Sequence, residues 1–105
     1  MIITTTHNIE NRPVREYLGL VTGEVIAGAN IFKDVFASFR DVVGGRAAAY
    51  ENTLRETRLE ALAALEAEAR KRGADAVIAV DVDYEIIGKG GSMMLVSVTG
   101  TAVRL

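Results

Sequence analysis

The chain contains no cysteine, one histidine and one proline, and neither charge sign dominates it. Without cysteine there are no disulfides and no thiolate metal site. With one histidine there is no H-E-x-x-H pair, and no G-x-S-x-G elbow or Rossmann fingerprint is present either. Twelve Lys and Arg face fourteen Asp and Glu, a net charge of -2. That balance offers no basic field to nucleic acid and no acidic excess of the kind found in disordered tails. No apolar run approaches the roughly 18 residues of a membrane span. The opening MIITTTHNIENR lacks the positive and apolar regions of a secretory signal. These absences lead to the expectation of a soluble cytoplasmic protein with no nucleic-acid or membrane partner.

What is present is ordinary for a globular domain. Half of the 105 residues are hydrophobic and a quarter are charged, which fits a single domain over 1–105. A chain of this size buries about two-thirds of its unfolded surface, enough for a core without staples.

The β-branched MIITTT reads as a short strand. The polar HNIENRPV, which holds the only proline, Pro13, reads as a turn or loop. VREYLGLVTGEVIAG (14–28) alternates as a long strand, with Gly19 and Gly23 permitting a bulge or bend. After Asn30, a good N-cap, Phe32, Val35, Phe36, Phe39, Val42 and Val43 form one face of an amphipathic helix. Gly44 stops it.

A second helix is predicted from about Arg46 to Arg72. It is rich in helix formers, and Tyr50, Leu54, Ala61, Leu62, Leu65 and Ala69 form its apolar face. Glu51/Arg55, Glu66/Arg70 and Glu68/Arg72 are i, i+4 pairs with the acid first, and Gly73 ends the helix. AVIAVDVDYEII (76–87), the turn Gly88-Lys89-Gly90-Gly91-Ser92 and MMLVSVTGTAVRL (93–105) read as a hairpin. The expected fold is therefore α+β, in the order β-β-α-α-β-β. It is a two-layer subunit whose mostly antiparallel sheet carries both helices on one face.

These elements are long for so small a domain. A 27-residue helix spans roughly 40 Å, whereas a 100-residue domain has a radius of gyration of ~13 Å. In the last strand Met94, Val96, Val98 and Ala102 face one way, and Met93, Leu95 and Val103 the other. A strand apolar on both faces is buried on both, yet one helical layer covers only one. The expectation is a homo-oligomer, most simply a closed ring, in which the second sheet face or the sheet edges meet another subunit.

The run GGRAAAYENTLRETRLEALAALEAEARKRGADAVIAVDVDYE, followed by GTAV at 100–103, resembles the YbjQ family of small, uncharacterised bacterial proteins labelled heavy-metal-binding. GGR…YE at 44–51, GADAVIAVDVDYE at 73–85 and GTAV carry the resemblance most specifically. It implies a dodecin-like two-layer subunit assembled as a homopentamer. The number five comes from the resemblance alone, and the family label settles no activity.

The label prompts a search for metal ligands. A soft heavy metal wants Cys, His or Met. His7 with Glu10 is H-x-x-E, but in a loop, where that spacing fixes nothing. Met93 and Met94 are strand neighbours and point to opposite faces. Asp81, Asp83 and Glu85 are the better set, because alternation puts all three on one strand face, each about 7 Å from the next. Repeated around a ring, they suit a hard cation such as Ca²⁺ or Mg²⁺. The plainer reading is a solvated row, or one paired with Arg or Lys on an adjacent strand or subunit. The glycine run 88–92 lacks the order of a phosphate loop and no helix follows it, so it is a hairpin turn.

Gly44-Gly45-Arg46 is the corner between the two predicted helices. Arg46 opposes the helix dipole there, so it calls for an anionic partner, either a carboxylate across a subunit interface or a bound anion. Arg46 and Tyr50 are therefore the candidate ligand contacts. No catalytic set assembles, and the identity of any cofactor is left unknown by the sequence. The sequence reads as a homo-oligomeric binding or scaffold protein with a metal ion or small ligand held between subunits. The alternative is an enzyme whose site forms only at the interface, from Arg46, Tyr50 and the acidic strand.

Overall fold

The computed structural model describes residues 1–27, 45–91 and 93–105, with residues 45–50 as backbone only. The elements in chain order are β1 (Ile2–Ile3), β2 (Glu16–Ala27), α1 (Gly45–Lys71), β3 (Ala76–Ile87), a short 3₁₀ turn (Lys89–Gly91) and β4 (Met93–Arg104). The Phe-striped helix expected over 31–43, with its stop at Gly44, lies outside the described residues, as does Ser92. Among those described, no helix is long and apolar enough to cross a membrane.

The strands form one sheet in the order β1-β3-β4-β2. β3 and β4 make the expected hairpin, and β2 pairs antiparallel with β4 on its other side. The sheet is nevertheless mixed, because β1 runs parallel to β3, pairing Ile2 with Ala76 and Ile3 with Val77. Only Ile2–Ile3 of MIITTT is strand. Thr4 and Thr6 still bind β3: Ala79 N–H donates to Thr6 O at 2.8 Å and Val80 N–H to Thr4 O at 3.0 Å.

β3 changes its alternation partway. The register slips between Ile78 and Asp81, so Ala79 and Val80 together oppose Gly100. Ala79 sits at φ 53, in the left-handed region. An extra residue in one strand shifts which face each later side chain takes. Ile78 lies on the face away from α1, Val80 lies in the core, and Asp81 is exposed on the far face again. The bulge thus keeps valines inside and carboxylates outside beyond it. β2 has its own slip between Tyr17 and Gly19, within the stretch expected to bend.

α1 covers one face of the sheet. Ala61, Leu65 and Ala69 are fully buried against Val21, Val77, Val80, Met94, Val96, Val98 and Ala102. Leu54 and Leu62 pack at the margin of this core. The approach is tight at Gly23 of β2. A Cβ there would collide with the Ala61 carbonyl oxygen and lie 2.7 Å from Leu65 N, both helix backbone. The helix ends as expected. Gly73 adopts φ 73, with Ala74 N–H bonded to Ala69 O and Gly73 N–H to Arg70 O, the double bond of a Schellman turn.

The charged pairs on α1 are only partly those expected. Glu66–Arg70 forms at 3.3 Å, but Glu68 pairs with Lys71 instead of Arg72. Arg72 lies beyond the helix end, and its guanidinium reaches across to donate to Leu18 O. Arg55 donates to Asn52 Oδ1 instead of to Glu51.

The second sheet face is not wholly bare, contrary to the expectation that one helical layer leaves it so. At one end Ala76, Ile78 and Val103 are buried under Ile9, Val14 and Leu105, because the N-terminal segment folds back across it. Beyond that patch no other described segment packs on this face. The Cα radius of gyration is 16.5 Å and the extents are 53 × 25 × 16 Å, against ~13 Å expected for a compact domain of this length.

Candidate functional site

The open face is built from rows of residues that pair across the three long strands. One row is Thr22, Thr99 and Asp81; the next is Glu24, Ser97 and Asp83; the third is Ile26, Leu95 and Glu85. Neighbours within a row stand about 5 Å apart. Glu24, Asp81, Asp83 and Glu85 are exposed, and no lysine or arginine stands in these rows. None of the four carboxylates makes an ion pair among the described residues.

The crowding shows in Asp83. A hydrogen bond shared with the Asp81 carboxyl, then that group's negative charge, then a little desolvation hold its carboxyl above the usual range. The predicted metal set thus shares one face, as alternation required, and its first two members are close enough for Asp81 to raise the pKa of Asp83. Even so, no group of three His, Cys, Asp or Glu among the described residues is placed to hold a metal ion. Glu24, which completes the acidic patch from β2, was not picked out in the sequence. Strand pairing brings it there, and no local pattern marks it.

Behind the same end of the sheet, on the α1 side, lies a groove of about 190 Å³ lined by Glu51, Leu54, Arg55 and Arg58. Arg58 is half-buried and donates to the Tyr84 hydroxyl at 3.4 Å, so its acceptor is neutral. Arg55 is exposed, and its acceptor is the Asn52 amide. Neither guanidinium meets a carboxylate among the described residues. Tyr84 and Ile86 of β3, on this side, remain 47 % and 49 % exposed. A signal for this groove exists in the sequence. Arg58 falls four residues after Leu54, on the flank of the stripe that faces the sheet, where a charge must find a partner or reach solvent.

The other sequence candidates do not converge. Arg46 and Tyr50 fall in the first two turns of α1, and their side chains lie outside the described residues. The first turn of α1 has no acidic residue, so nothing in it offsets Arg46 against the dipole. His7 is exposed, in a bend beside Asn8, whose carbonyl accepts from Thr6 Oγ1. Met94 is buried against α1 while Met93 lies on the opposite face. Lys89 occupies the 3₁₀ turn, is exposed, and leads into a strand.

These features define a class: an α+β subunit with one sheet face under a helix and the other bearing carboxylates that no cation of its own sheet offsets. The chain belongs to the YbjQ family, described as putative heavy-metal-binding, whose profile matches residues 1–105. Among solved structures it is similar to a protein of unknown function from Pediococcus pentosaceus ATCC 25745, assigned to the DUF74 family. The TM-score is 0.63 at 17 % identity, covering 100 % of this chain and 97 % of the other. At that identity the likeness shows the fold.

A heavy metal does not fit the described donors. Cysteine is absent, the exposed histidine stands apart, and the carboxylates are hard ligands.

Proposed function

We propose that the protein is a non-catalytic, homo-oligomeric binding or scaffold subunit that assembles as a ring, pentameric as the family resemblance implies. The observation that carries this reading is the open sheet face. Leu20 and Ile26 are 65 % and 57 % exposed there, beside half-buried Leu95 and Met93. Large apolar side chains on a sheet face normally lie under a second layer. The elongated shape adds support, since 12-residue strands overhang what one helix covers. On this reading Arg46 and Tyr50, at the entry to α1, contact a neighbouring carboxylate or a small anion.

Native mass spectrometry of freshly purified protein tests the proposal. The expected spectrum is a single oligomer, with five subunits the predicted count. A monomer mass at micromolar concentration refutes assembly.

A second reading places a hard cation on Asp81, Asp83 and Glu85, and their common strand face favours it. Since no three such ligands converge among the described residues, this reading takes further donors from a second copy.

A further inference from the structure

We infer that the carboxylate row of one copy, centred on Asp83 with Glu24, Asp81 and Glu85, docks on the Arg55–Arg58 groove of a second copy. The inference rests on the assembly reading and names the surfaces that meet. Each surface carries an excess of charge that the other can offset. Four exposed carboxylates share one face with no cation in their rows. Two guanidiniums and the single carboxylate of Glu51 line a groove on the other face; among the described residues the guanidiniums bind a phenol hydroxyl and a side-chain amide, and neither forms an ion pair. Arginine presents a planar fork that matches a carboxylate in two parallel hydrogen bonds, a geometry that neither neutral acceptor satisfies.

The apolar neighbours are placed to close around such a contact. Ile26 and Leu95 border the acids on one side, and Leu54 lines the groove on the other. Apolar side chains around the ion pairs exclude water and strengthen them.

Position fixes how copies must join. The row lies on the face of β3 away from α1, while Arg58 reaches Tyr84 on the face toward it. The two surfaces belong to opposite sides of one end of the molecule, so this groove cannot reach the row of its own copy. A two-fold dimer would need row and groove within one shared patch, and they lie on opposite faces. Row and groove therefore meet head to tail, the arrangement that closes into a ring when the rotation permits. This gives the carboxylates a counter-charge without a metal, and the repulsion between the acids of the row is offset on docking.

The test is charge reversal, read by native mass spectrometry and by sedimentation across a concentration series. Wild type is expected to be oligomeric. Asp83→Arg and Arg58→Asp should each weaken association about tenfold or more, since each sets like charges together at the contact. The double variant Asp83→Arg/Arg58→Asp should recover the wild-type oligomer, because every interface is then reversed in both partners. Both residues reach solvent, and circular dichroism confirms that each variant is folded. A monomeric wild type removes the assembly reading and this inference with it. An oligomeric wild type with both single variants unaffected, or a double variant that stays dissociated, overturns the pairing alone. Calorimetric binding of Ca²⁺ or Mg²⁺ to the assembled wild type, lost in Asp83→Asn, also overturns the pairing, because the row then holds a cation.

Discussion

Asp83 shows how far a single residue reports on its surroundings. Its carboxyl shares a hydrogen bond with Asp81 and feels that neighbour's charge, so the folded subunit holds its proton more tightly than an unfolded chain would. Protonation therefore favours the folded form, and ionisation at neutral pH works against it. Asp83→Asn is expected to raise the melting temperature at neutral pH. The gain should shrink as pH falls through the raised pKa and disappear below the ordinary carboxylate range. The measurement belongs in the Arg58→Asp background, where no second copy's guanidinium offsets the row. Equal melting temperatures at neutral pH would show that the two carboxylates do not interact. The shared face of these acids was legible in the sequence because alternation is a local property. Glu24 was not, because it is 57 residues from Asp81 along the chain and becomes a neighbour only through β4.

At the scale of elements, the contact between α1 and β2 sets the tolerance of the fold. At Gly23 helix backbone lies close enough to the strand to exclude a side chain. Gly23→Ala is expected to destabilise the subunit by about 1–3 kcal/mol, the range for overpacking a filled core. A urea melt should show a lower midpoint with an unchanged slope, and an unchanged midpoint would mean that α1 can move outward freely. The limits of α1, β3 and β4 were legible to within a residue or so, because helix formers, a C-terminal glycine and β-branched runs mark them. Gly23 itself read only as a place for a bend. Its part in admitting the helix depends on a contact 38 residues further along the chain, at Ala61. The bulge at Ala79 had no turn residue to announce it. A non-glycine left-handed residue is held there by the bonds that Thr4 and Thr6 supply from the N-terminal segment.

At the scale of the whole molecule, charge is balanced in total and segregated in space. The net charge of -2 conceals an acidic face and an arginine-lined groove on opposite sides of one end. If these surfaces join copies, assembly is sensitive to ionic strength, since screening acts on charges at the rim of a contact. Raising salt from 50 mM to 500 mM is expected to shift the equilibrium toward smaller species, monitored by sedimentation. Insensitivity to salt would assign the interface to Leu20, Ile26 and their apolar neighbours instead. The same scale holds the clearest departure from the sequence reading. The N-terminal segment caps Ala76, Ile78 and Val103, so part of the face expected to need a second subunit is covered by the chain itself.

By itself the sequence determined the class of the subunit, the extent of its long elements and the side of β3 on which the acids stand. Each of these follows from local periodicity, capping and alternation, which act over a few residues. Only the tertiary structure decided the parallel edge strand β1, the bulge that resets β3, the close approach at Gly23 and the juxtaposition of Glu24 with Asp83. It alone placed Arg58 beside Tyr84 on the face opposite the acids. Those facts depend on which distant segments pair and in what register. Pairing is fixed by burial of the whole core at once, which no short stretch of the chain encodes.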